Sequence, residues 1–84
     1  MAAKITDEER EMMRDAYRYL AKYIDPPANG ADNALAWWEA AVEEISDLVG
    51  KKWNNHPLIM QVMLGVFSYL EHKAKEATKR AQGI

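Results

Sequence analysis

Residues 58–67 are the segment that most limits what this chain can become. Leu58, Ile59, Met60, Val62, Met63, Leu64, Val66 and Phe67 make it apolar on nearly every side of a helix, broken only by Gln61 and Gly65. A bilayer span needs about 20 such residues, so this shorter run predicts a buried helix instead. A helix apolar on more than one face must be covered on more than one face. Other helices of the chain, or a second copy of it, have to supply that cover.

The rest of the chain supplies two further helices. Thr6, Asp7, Glu8 and Glu9 fit a capping box: the Thr6 hydroxyl accepts from the amide three residues on, and Glu9 reaches back. From there Met13, Ala16, Tyr17, Leu20 and Ile24 recur at helical spacing and predict an apolar stripe. Asp25, Pro26 and Pro27 end this helix, because a residue before proline avoids the α region. Asn29 and Gly30 mark a turn, and Asp32 is placed to cap a second helix. Its stripe is Leu35, Trp38, Ala41, Val42, Ile45, Leu48 and Val49, and Gly50 follows as a stop with freedom to take positive φ. Residues 51–56 read as a loop. Asn55 or His56 caps the third helix, and Pro57 suits its first turn.

These signals predict an all-α fold, a compact three-helix bundle with helices over residues 6–24, 33–49 and 57–81 and the third helix central. At 84 residues the chain is expected to form one helical domain, 1–84. A domain of this size buries only about 60–65% of its unfolded surface, and no cysteine is present to staple it. Self-association is a direct way to enlarge so small a core. The expectation is a homo-oligomer, a dimer favoured, with a different protein as the other kind of partner. Gly65 in mid-helix costs about 1 kcal/mol against alanine, and its expected use is the close approach of another helix.

Charge divides unevenly. Residues 1–25 carry net −1, residues 26–50 hold five acids and no base, and residues 51–84 carry net +4, for a total of −2. Lys73, Lys75, Lys79 and Arg80 sit where a helix C-terminus favours cations. On the first helix, Glu11 with Arg14 and Asp15 with Arg18 are spaced to pair. A seam to Glu39, Glu43 and Asp47 of the second helix is the structural variant.

Three features are candidate sites. The first is an interface with Trp37, Met60 and Leu64 as anchors, since tryptophan and methionine are enriched in such surfaces. Trp38 reads as core. Trp37 lies at the stripe's edge, either against helix 1 and its loop or facing a partner. The second is the segment Lys51, Lys52, Trp53, Asn54, Asn55 and His56, which joins two cations, an aromatic face and an imidazole at a helix start. It is the basis of an alternative reading as a nucleic-acid or phosphate-ligand binder, together with the basic end of helix 3. A nucleic-acid partner is disfavoured by the acidic balance and by the apolar opening of helix 3, which offers base edges no donors. The third is Ser68 with His72, one turn apart, which lacks the oriented base and oxyanion donors a nucleophile requires. No catalytic residue, no metal site and no cofactor are therefore expected, and the chain reads as a non-enzyme. The mixed-charge start is not that of a signal peptide, so a cytoplasmic protein without membrane association is expected.

The strings Ile5-Thr6-Asp7-Glu8-Glu9-Arg10, Tyr17-Arg18-Tyr19-Leu20, Pro26-Pro27-Ala28-Asn29-Gly30, Trp37-Trp38 and Trp53-Asn54-Asn55-His56-Pro57-Leu58 resemble short helical proteins from phage-derived regions of gut Firmicutes. The resemblance covers most of the chain. It implies an accessory or regulatory interaction protein and carries over no catalytic or binding residue.

Overall fold

The computed structural model describes residues 4–83; both ends of the expected 1–84 domain lie outside these. Three α-helices follow one another: α1, Asp7–Lys22; α2, Ala34–Ser46; and α3, Pro57–Ala81. The all-α, three-helix arrangement stands as read from the sequence, with no strand among the described residues and α3 touching both other helices.

Helix α1 opens on the complete capping box. The Glu9 amide donates to the Thr6 hydroxyl at 3.1 Å, and the Thr6 amide donates to Glu9 Oε1 at 2.8 Å. The helix closes at Tyr23, two residues short of Asp25 and the proline pair. Helix α2 begins one residue later than its expected cap. Asn33 holds the cap position, its side chain caps nothing, and Asp32 lies in the preceding turn.

The end of α2 corrects the sequence reading most. Gly50 does not stop the helix and has no positive φ. The backbone widens instead into a π-helical segment, Asp47–Lys52, so Lys51 and Lys52 are helical. The stop comes at Asn54 and Asn55, with φ of 50° and 59°. Asparagine tolerates the left-handed region better than other residues with a Cβ. The Asn55 amide then donates back to the Val49 carbonyl at 2.8 Å. His56 caps α3: its Nδ1 accepts from the Leu58 amide at 3.1 Å, and Pro57 takes the first position.

Cross-helix contacts set the directions. Glu8 lies by His56 and Asp15 by Trp53, while Tyr19 meets Ala41 and Lys22 meets Glu44. Beyond α1, the Asn29 amide donates to the Thr78 hydroxyl at 2.7 Å. Helices α1 and α3 thus run parallel, and α2 runs back between their ends.

The core is Met12, Ala16, Tyr19, Tyr23, Ala41, Ile59, Met63, Leu70 and Ala74. On α1 this stripe lies one position away from the expected one. Met13, Tyr17 and Ile24 are exposed, and only Ala16 belongs to both stripes. Two neighbouring stripes on α1 are apolar, and the one carrying Met12, Tyr19 and Tyr23 turned inward, packing on α3 and bonding to α2. The Tyr19 hydroxyl donates to the Ala41 carbonyl at 2.8 Å, and the Tyr23 ring meets Trp37 edge-on at 5.3 Å. On α2, Leu35 and Val42 of the expected stripe also face out. Trp38 is half-buried, edge-on to Phe67.

The outline is long and flat, 53 × 27 × 16 Å, with a radius of gyration of 15.0 Å. A compact domain of this length has about 12 Å. At about 1.5 Å per residue, the 25 residues of α3 outrun its partners. Among the described residues, nothing beyond its own stretch of helix comes within 4 Å of where a Gly65 Cβ would stand. The close helix approach expected there is not made within the chain.

Candidate protein-interaction groove

Helix α2 is tied to α1 by side chains and leaves part of α3 uncovered. Three contacts hold it there: the Tyr19 hydrogen bond to Ala41, the 2.7 Å ion pair between Lys22 and Glu44, and the Tyr23–Trp37 edge contact. Ala41 is fully buried and its small side chain permits the approach. On the α3 side, Trp38 and Phe67 meet at 5.4 Å and bridge the two helices at one level. Beyond that bridge an apolar groove opens, about 470 Å³ in volume. Val42, Ile45 and Val49 line it from α2 and the π-helical segment; Met60, Leu64 and Phe67 line it from α3. Buried Met63 forms part of its floor, and Ser46 and Asn55 supply its polar side chains.

Two of the three expected interface residues meet here. Met60 is 40% exposed and Leu64 is 63% exposed. Trp37 is elsewhere: it is half-buried, between the rings of Tyr23 and Trp38. Sequence reasoning missed Val42, Val49 and Phe67 as partners of Leu64. The available signal was the all-round apolar opening of α3, which demands more cover than α1 and α2 provide.

The residues Lys51, Lys52, Trp53, Asn54, Asn55 and His56 are engaged inside the chain. Lys51 pairs with Asp47 at 3.2 Å, one turn back. Lys52 reaches Asp15 Oδ2 at 2.7 Å, and the Trp53 indole N–H donates to the same oxygen at 2.9 Å. Burial pushes the Asp15 carboxyl up. The Lys52 and Trp53 hydrogen bonds, with the Lys52 and Arg18 charges, outweigh that and hold it below the usual carboxylate range. Asn54 and Asn55 make the left-handed turn. His56 Nε2 faces Glu8 Oε1 at 3.4 Å while Nδ1 caps α3.

Among the described residues, the expected pairs Glu11 with Arg14 and Asp15 with Arg18 do not form; Asp7 pairs with Arg10 at 3.4 Å instead. The seam between α1 and α2 is Lys22 with Glu44, and Asp15 is spent on Lys52. Ser68 and His72 are both exposed, and the His72 ring stacks on Tyr69 at 6.5 Å. No cluster of three metal-ligating side chains, and no helix long and apolar enough to cross a membrane, occurs among the described residues.

These features define an all-α protein with an open apolar groove between two of its helices. No protein-family model, no curated protein and no solved structure matches the chain.

Proposed function

We propose that this chain is a small helical protein–protein interaction module that self-associates, with a second copy of the chain covering the groove. The observation that carries this reading is Leu64, an apolar side chain 63% exposed on the edge of a groove with apolar walls. Area supports the same partner. The chain exposes 6157 Å², whereas a compact protein of 9.6 kDa exposes about 5,100 Å². The surplus, roughly 1,000 Å², is about what one partner buries in a standard interface, about 800 Å². In this reading the protein is cytoplasmic, serves an accessory or regulatory role, and carries no chemistry of its own. The alternative, a nucleic-acid or phosphate-ligand site at the Lys51–His56 segment, has less support, because Lys51, Lys52 and Trp53 are already paired with Asp47 and Asp15.

Absolute mass by light scattering, over a range of concentrations, tests the proposal. The expected result is twice 9.6 kDa or more, returning to monomer in Leu64→Glu with helical circular dichroism retained. A monomer at every concentration, or an assembly indifferent to Leu64→Glu, would count against it.

A further inference from the structure

We infer that the contact between copies is head-to-tail: the outer ridge of α1 from one copy seats in the groove of the next. This rests on the self-association reading and specifies its geometry.

The shape of the groove is the first argument. A concavity walled by two helices is filled by a convex ridge, and an amphipathic helix laid in an apolar groove is a common solution. The chain carries such a ridge. Met13 and Tyr17 lie on one face of α1, 48% and 72% exposed, and Ile24, 38% exposed, follows just beyond the helix end. The opposite need of α1, its core stripe, is already met by Met12, Ala16, Tyr19 and Tyr23. The lengths agree. Val42 to Val49 and Met60 to Phe67 are each seven positions apart, about 10 Å along a helix, as are Met13 and the half-buried Leu20 that ends the ridge on α1. Tyrosine and methionine are also residues enriched in interfaces.

Charge is the second argument. Arg10 and Arg14 stand three before and one after Met13 on α1; Glu39 and Glu43 stand three before and one after Val42 on α2. All four are exposed. Arg14, Glu39 and Glu43 have no ion-pair partner among the described residues. Basic side chains thus flank Met13 on one side of the ridge, Arg10 being shared with Asp7, and acidic ones flank Val42 on the groove wall. Two acidic rims facing each other in a symmetric groove-to-groove dimer would repel.

The ridge belongs to α1, while the groove is lined by α2, the π-helical segment and α3. One copy thus offers one ridge and one groove at separate places. Such contacts close into a ring or continue as a chain.

A complementation experiment with two exposed-site variants tests this, read by light scattering and circular dichroism. Leu64→Glu removes the groove and Tyr17→Glu removes the ridge. Each alone is expected to be monomeric and helical. Mixed in equal amounts, they should form a dimer of twice 9.6 kDa that does not grow with concentration, because one good ridge meets one good groove. Val42→Glu, on the other wall, replaces Leu64→Glu if the latter loses helicity. If Tyr17→Glu assembles like the wild type, or the mixture stays monomeric, the head-to-tail geometry is overturned while self-association stands. A wild-type monomer at all concentrations would overturn both.

Discussion

The Tyr19 hydroxyl and the Ala41 carbonyl meet at 2.8 Å in the core, and this bond sets how α2 lies against α1. It is a phenol–backbone bond between residues 22 positions apart. Replacing Tyr19 by phenylalanine keeps the ring and loses the bond. The expected cost is about 1 kcal/mol, read as a lower urea midpoint with an unchanged slope.

The same residue makes the fold sensitive to alkali. Burial first, then the neighbouring Tyr23 and Glu44, push the Tyr19 phenol well above its usual range. Burial and Glu44 also raise Tyr23. A group raised in the folded state contributes stability that is present below its unfolded value and lost as pH rises above it. Unfolded tyrosine titrates near about 10, so the melting temperature should fall above that pH. Tyr19→Phe should flatten the fall.

Asp15, one turn before Tyr19 on α1, contributes to the behaviour in acid. Its carboxylate is held low by Lys52, Trp53 and Arg18 against the opposing effect of burial. A lowered carboxyl contributes stability above its unfolded value, near about 4, which is lost as pH falls through the folded value. Asp15→Asn should cost roughly 2 kcal/mol at neutral pH, the range for hydrogen bonds to charged groups. Its stability should depend less on pH in acid. Trp53 fluorescence should shift to the red as the indole loses its partner.

Gly50 offers a test of sign. A glycine that ends a helix with positive φ resists alanine, but Gly50 lies within the π-helical segment without that φ. Beyond its own stretch of helix, a Cβ there would meet Asn55 Oδ1 at 3.9 Å, an ordinary contact. Gly50→Ala should therefore stabilise by about 0.5–1 kcal/mol, since alanine loses less backbone entropy on folding. Destabilisation by a similar amount would show that the helix stops at Gly50 after all.

Met63 and Leu64 are neighbours with opposite roles. Met63 is 1% exposed and Leu64 is 63% exposed. Met63→Ala should cost roughly 2–4 kcal/mol through lost burial and a cavity. Leu64→Ala should cost under about 0.5 kcal/mol in dilute protein, while weakening the assembly at high concentration. Denaturation at two protein concentrations separates the two effects.

The ends of α1 and α3 were legible because their signals are local. Thr6 and Glu9 satisfy each other's amides within one turn, and His56 with Pro57 opens α3 within two residues, so short-range chemistry alone decides them. The end of α2 was less legible. Gly50 and the pair Asn54, Asn55 can each stop a helix, and the choice fell to the hydrogen bonds of a widened turn. The candidate site was half legible: Met60 and Leu64 stood out on an over-apolar helix, whereas their companions Val42 and Val49 read as ordinary core. The inner face of α1 was not legible. Met12, Tyr19 and Tyr23 lie about one residue's rotation from Met13, Tyr17 and Ile24, and both sets satisfy the helical period. Local pattern along the chain was enough for three helices and for the surplus of apolar surface on the third. Which stripe of α1 turned inward and where that surplus gathered followed from packing, because Met12 and Ala16 join Ile59 and Met63 in one core while Tyr19 bonds to Ala41, and α3 stays uncovered on one side.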